Sequence, residues 1–212
     1  STPLLHEEVA SRSGLSLDDF TSVLAEVDGE LRAPRYARGI EVPTIERFER
    51  LAARLSIPDP DLPDRLTEIH MAAIREKVVV PRHHVALLHS LRQRVRVGVC
   101  SNFSHAATAH RILEENELAS KLDAVVISEE VGFRKPRPEI FEALLSSLSV
   151  SPEQTLHVGD RLTTDVGGAA ALCMRTAWIT RCVRDPERAL DAYDGPRPDW
   201  IVSDLDQLPD LF

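Results

Sequence analysis

The sequence predicts an α/β protein whose doubly wound, Rossmann-like parallel sheet follows a small all-helical domain. Three observations predict it. Residues 1–80 carry apolar stripes at helical spacing and no strand-like run. After Pro81, short apolar runs alternate with amphipathic stretches, the pattern of a parallel sheet with helical crossovers. Thr155–Ala169 (T-L-H-V-G-D-R-L-T-T-D-V-G-G-A) then passes from a buried-strand run through a glycine and an aspartate into a helix start. The expected division is a helical domain over 1–80 and an α/β domain over 81–212.

In the first part, Leu15, Phe20, Val23, Leu24 and Val27 make one apolar face. Pro43 and Thr44 open a second helix striped by Ile45, Phe48, Leu51, Ala52 and Leu55, and Pro58-Asp59-Pro60 breaks it. Leu62, Leu66, Ile69 and Ala73 carry a third helix toward Val78–Val80, and Tyr36–Gly39 reads as a polar loop between helices that could touch a ligand. In the second part, Val85, Leu87, Leu88 and Leu91 mark a helix, and Val95–Cys100 a strand ending at Ser101-Asn102. A helix over Ala106–Leu113, the strand Ala124–Ile127 and a helix from Pro138 follow. Strands at Leu156–Val158, Thr176–Ile179 and Trp200–Val202, and a closing helix at Leu205–Leu211, complete the series.

A chain of 212 residues with 43% hydrophobic residues can bury a full core. Its formal net charge of -9 argues against nucleic acid or an anionic membrane as partner. No apolar run reaches membrane-spanning length and no signal peptide is read at the start. Cys100, Cys173 and Cys182 are odd in number and lack metal-ligand spacing, so reduced thiols and a cytoplasmic location are expected.

Four places carry chemistry. Asp160 ends a strand and Asp165 opens a helix, so both can face the crevice at the sheet's carboxyl edge. Two carboxylates about 4 Å apart repel by about 4 kcal/mol at an effective dielectric of 20, which a cation between them would offset. The plain alternative makes Asp160 a turn former and Asp165 a helix-start acid. Ser101 and Asn102 offer a hydroxyl, an amide and helix-start N–H groups, which suit a phosphate; alternatively Ser101 or Ser104 caps the next helix. Of the 25 basic residues only Lys77, Lys121 and Lys135 are lysines, and Lys135 sits in G-F-R-K-P-R-P, stiffened by Pro136 and Pro138. A compact ammonium there suits a crowded metal–phosphate site. As a loop ammonium it is expected to contribute little to stability.

The order S-N after a strand, K-P before a helix, then G-D-x4-D resembles the haloacid dehalogenase superfamily of hydrolases. V-I-S-E-E-V-G-F-R-K-P-R-P-E-I-F and H-V-G-D-R-L-T-T-D-V-G-G-A are similar to that family's third and fourth motifs, and residues 1–80 to its inserted cap. The resemblance implies that Ser101 and Lys135 act in catalysis and, with Asn102, bind the substrate's phosphoryl group. It implies that Asp160 and Asp165 form a Mg2+ site. A small phosphorylated metabolite is the implied substrate, hydrolysed through an aspartyl-phosphate by a monomer or homodimer. Members that cleave carbon–halogen bonds usually lack this acid pair, so a 2-haloacid dehalogenase is the less favoured reading. The family's nucleophile, the first aspartate of D-x-D-x-T after an apolar strand, is not found in residues 1–212. Glu26–Leu31 (E-V-D-G-E-L) echoes it only faintly. The nucleophile is therefore expected upstream of Ser1, the alternative being a non-catalytic phosphate-binding relative.

Overall fold

A computed structural model describes residues 1–211. Four helices come first: α1 (Thr2–Ser13), α2 (Leu17–Tyr36), α3 (Thr44–Arg54) and α4 (Leu62–Arg75). Ser16 caps α2, its hydroxyl accepting from the Asp19 N–H at 3.2 Å. The apolar stripes face inward, so that Leu5, Val9, Phe20, Val27, Phe48, Leu51, Leu62 and Leu66 form one buried cluster. Glu26–Leu31 lies in the middle of α2, not at the end of a strand. Asp28 there receives both Arg47 Nε and Nη2, at 2.7 and 2.6 Å, which makes it a helix-pairing acid.

His70 on α4 packs edge-to-face against Phe48, ring centroids 5.7 Å apart. Burial, helped by the charge of Arg47, holds its pKa down to about 4. An unfolded histidine titrates near about 6.5. The folded value is the lower one, so this contribution is complete above the unfolded value and is lost as the pH falls toward 4. Melting temperature should therefore drop between pH 7 and pH 4.5, and His70→Gln should drop less. Allowing for water that reaches part of the ring, the difference should correspond to about 1–2 kcal/mol.

The α/β part follows as α5 (Arg82–Leu91), β1 (Gly98–Ser101), α6 (Ala106–Glu115), β2 (Ala124–Ile127), α7 (Ser128–Val131) and α8 (Pro138–Leu148). Next come β3 (Leu156–Gly159), a π-helical turn over Leu162–Val166, α9 (Gly167–Ala170), β4 (Arg175–Ile179), α10 (Pro186–Asp191) and β5 (Trp200–Val202). Leu205–Leu211 closes as a 3-10 helix. Among the described residues every pairing between these strands is parallel: β1 with β2, and β4 between β3 and β5. The expected strand from Val95 begins only at Gly98. Val97 exchanges bonds with Asp123 instead, and α8 approaches so closely that a Cβ on Gly98 would lie 2.9 Å from Leu144 Cδ1. Ile140, Phe141, Leu144 and Leu148 of α8 bury against Val126 of β2 and form the core on that face.

The two sheets are not hydrogen-bonded to each other. Strands β1 and β3 both line a cavity of about 350 Å3, with Val97, Val99, Leu156, Val158, Leu144 and Leu148 among its lining residues. Each of the two strands is bonded to a strand on one side only. Open strand edges along an apolar cavity are free to pair with a further strand.

Candidate active site

The ends of β1 and β3 and the loop before α8 converge at one edge of the α/β part. Asn102, one residue beyond β1, clamps that loop: its Nδ2 donates to the Lys135 carbonyl at 3.0 Å, and its Oδ1 accepts from the Lys135 N–H at 2.7 Å. The reciprocal pair fixes the lysine backbone. Its side chain then turns inward, and Nζ donates to the Cys100 carbonyl at 2.6 Å and to Asp165 Oδ1 at 2.8 Å.

Asp165 sits in the π-helical turn beyond β3 and is 3% exposed. Its Oδ2 accepts from the Arg161 N–H at 2.9 Å, and His157 Nε2 lies 3.4 Å from Oδ1. Burial alone pushes the carboxyl up, but His157 and Lys135 outweigh it and hold it well below the usual carboxylate range. Burial also pushes the pKa of His157 down, against the pull of the Asp165 carboxylate. The turn is possible because residue 159 is glycine. A Cβ there would lie 2.3 Å from Asp165 Cγ.

Among the oxygen-bearing side chains at this edge, the half-buried Ser101 hydroxyl and the exposed Asp160 carboxylate make no hydrogen bond to protein among the described residues, and neither do the Thr163 and Thr164 hydroxyls of the turn. The Asp160 backbone is anchored, its carbonyl accepting from Trp178 Nε1 at 2.9 Å.

The sequence-derived residues thus fall into two groups. Lys135, Asp165 and Asn102 are joined by direct contacts, whereas Ser101 and Asp160 stand at strand ends with their polar groups open. Asn102 spends both ends of its amide on the Lys135 backbone. The first N–H of α6, at Ala106, is taken by the Glu129 carboxylate. Neither Ser101 nor Ser104 caps α6, whose N-cap is His105; Ser104 Oγ instead meets Thr44 Oγ1 at 2.8 Å. Lys135 is not a solvated loop ammonium, its side chain being 11% exposed and ion-paired to a buried acid. The expectation that it contributes little to stability is corrected on that ground.

Two further participants are not evident from the sequence. His157 reads there as strand core, yet its Nε2 lies within reach of Asp165. Glu41, 4% exposed, ties the helical part to the α/β part. It accepts from the Ser128 hydroxyl, from Arg134 at 3.3 Å and from the Val42 N–H at 2.9 Å. Around it the Arg134 N–H donates to the Gly39 carbonyl at 2.9 Å, and the Arg134 guanidinium lies 3.5 Å from the Tyr36 ring centre. Tyr36–Gly39 therefore borders the lysine loop, and the two line a cleft of about 360 Å3 with Pro136 and Arg137. A glutamate inside the otherwise apolar G-I-E-V-P is the available signal.

A cap of helices over a parallel α/β core, with lysine and acids gathered at the strand ends, defines a class of hydrolases. The chain belongs to the haloacid dehalogenase-like hydrolases, whose family profile matches residues 10–172. It is 32% identical to pyrimidine 5′-nucleotidase of Escherichia coli over 166 residues, 78% of this chain and 69% of that protein. It is 30% identical to glyceraldehyde 3-phosphate phosphatase of Pyrococcus furiosus over 61% of this chain, and spans only 52% of that relative. Against N-acylneuraminate-9-phosphatase of Mus musculus the identity is 35% over 59% of this chain and 49% of the relative. Among solved structures, a phosphatase of this family from Thermococcus onnurineus superposes with a TM-score of 0.70 at 21% identity, covering 99% of this chain and 87% of that one. A 2-haloacid dehalogenase from Pseudomonas syringae gives 0.73 at 20% identity with the same coverage. These two likenesses concern the fold.

Proposed function

We propose that this chain is part of a Mg2+-dependent phosphate monoester hydrolase acting on a small phosphorylated metabolite through an aspartyl-phosphate. The observation that carries the reading is the buried Lys135–Asp165 pair, clamped by Asn102, beside the open Ser101 hydroxyl and Asp160 carboxylate. Relatives named as phosphatases and a nucleotidase support the same chemistry. Residues 1–80 serve as the cap, and 81–212 as the catalytic core.

The donor set fits Mg2+ at Asp160, a hard oxygen ligand with no competing protein partner. Asp165 already has both oxygens engaged by protein donors. Its part is to hold the ammonium of Lys135 and to add negative charge beside the metal site. When bound, the metal would neutralise charge on the transferring phosphoryl group. Lys135 would face the same group as a fixed point charge, and Ser101 would donate a hydrogen bond to it. The nucleophilic aspartate would come from a strand lying outside residues 1–212 and occupying the cavity lined by β1 and β3. The 212 residues alone should then turn over no p-nitrophenyl phosphate above background. We assign a cytoplasmic location and a monomer or homodimer, with neither nucleic acid nor membrane as partner. Among the described residues no helix is long and apolar enough to cross a membrane, and all three cysteines are free.

Mg2+ at about a hundredfold its dissociation constant should stabilise the chain by about 2.7 kcal/mol, seen as a rise in melting temperature. Asp160→Asn should lose most of that rise. An undiminished response in the variant would leave the acid at 160 with a turn-forming role only.

A further inference from the structure

Away from the strand-end acids, the start of α5 meets the chain just after β5. Among the described residues, His83, His84 and Asp204 form a group of three whose ligand atoms all lie within 4.8 Å of one another. We propose that these three residues bind a late first-row transition ion, Zn2+ in the first instance, at a site separate from Asp160.

Successive residues of an α-helix point about 100° apart. His83 and His84 nevertheless both turn toward one carboxylate, their rings edge-to-face with centroids 4.3 Å apart. His84 Nε2 is 2.5 Å and His83 Nε2 3.4 Å from Asp204 Oδ1. Hydrogen bonding does not call for this third nitrogen. Oδ1 already accepts from the Leu205 N–H at 2.6 Å and faces His84, while Arg181 Nη1 serves Oδ2. The exposed His83 ring is thus aimed at an oxygen whose partners are already in place.

Two imidazoles and one carboxylate are donors that Zn2+ takes at about 2.0–2.2 Å, with water completing a tetrahedron. Nitrogen donors suit Zn2+ and select against Mg2+. His83, whose side chain is 51% exposed, leaves the fourth position open to water. Arg181 on the second carboxylate oxygen acts as the outer partner that orients a metal-binding acid. Bound there, the ion would fasten the beginning of α5, immediately after Pro81, to the end of β5. It would thereby fix the point at which the helical part joins the sheet.

The test uses the untagged, EDTA-treated protein, titrated with ZnCl2 by calorimetry and with CoCl2 by visible absorption. The expected result is one equivalent of Zn2+, with Co2+ d–d bands and no thiolate charge-transfer band. His83→Ala removes an exposed ring and should remain folded, yet should weaken Zn2+ about tenfold or more. His84→Ala should do the same. Asp160→Asn should bind Zn2+ as the parent does, which separates this site from the proposed catalytic metal. Unchanged affinity in His83→Ala, a thiolate band, or loss of Zn2+ in Asp160→Asn would each overturn the assignment.

Discussion

Replacing Lys135 by alanine is expected to abolish binding of inorganic phosphate or vanadate and to destabilise the chain by about 3–5 kcal/mol. Both effects come from one geometry. The ammonium is held between the Cys100 carbonyl and Asp165 Oδ1, and Asp165 is 3% exposed. Removing the lysine leaves a buried carboxylate with the Arg161 N–H and a more distant imidazole as its partners. Breaking one side of a buried pair costs far more than the pair itself is worth. The double variant Lys135→Met with Asp165→Asn should therefore recover most of the lost stability, because no uncompensated charge remains, while phosphate binding stays lost. Lys135→Arg should not restore binding, since a planar guanidinium cannot take the place of a compact ammonium in so enclosed a position. Urea denaturation and vanadate titration of the four proteins check this. Full rescue of vanadate binding by arginine would mean that positive charge alone matters there.

Gly159→Ala is the second change with a large expected effect, although it adds a single methyl group. That carbon would sit 2.3 Å from Asp165 Cγ, 2.4 Å from its Cβ and 2.6 Å from Oδ2. Rotation of the side chain cannot move Asp165 Cβ away, and the carboxylate is held by the Arg161 N–H and Lys135, so the π-helical turn must move as a unit. Overpacking of this kind costs about 1–3 kcal/mol, and separating Asp165 from Lys135 adds to it. The variant should melt well below the parent and lose phosphate binding together with the Mg2+ response. A variant with the parent's stability and Mg2+ response would show that Asp165 can hold Lys135 from another position.

Much of this architecture was legible in the order of the residues. The strands at Ala124–Ile127 and Trp200–Val202 and the helix from Pro138 fall where the apolar runs and the proline put them. β1 starts later than its V-R-V-G-V-C run suggested, because Val97 is bonded to Asp123 and leaves the ladder. Strand-end positions also told which chemical groups would gather at one edge. They did not tell which way each group would turn. The same G-D-x4-D spacing serves an exposed Asp160 and a buried Asp165, and the difference arises from the π-helical turn and the absence of a Cβ at Gly159. Asn102 read as a phosphate donor, but its amide is complementary to a backbone 33 residues away, which local sequence does not encode. Glu41 escapes the sequence for the same reason, its partners Ser128 and Arg134 lying 87 and 93 residues away, whereas His157 is only eight residues from Asp165 and escapes because the turn that folds the acid back onto the strand is not written in its spacing.

Metal-dependent hydrolysis of phosphate esters, as proposed for this site, is best measured on a protein that also carries the proposed nucleophile strand. Inorganic phosphate release from a panel of small phosphate monoesters, and chloride release from 2-chloropropionate, should be followed with Mg2+ and with EDTA. Phosphate release from at least one ester is expected, stopped by EDTA and by Asp160→Asn, with no chloride released. Chloride release that persists in EDTA, or phosphate release indifferent to both EDTA and Asp160→Asn, would contradict the proposal.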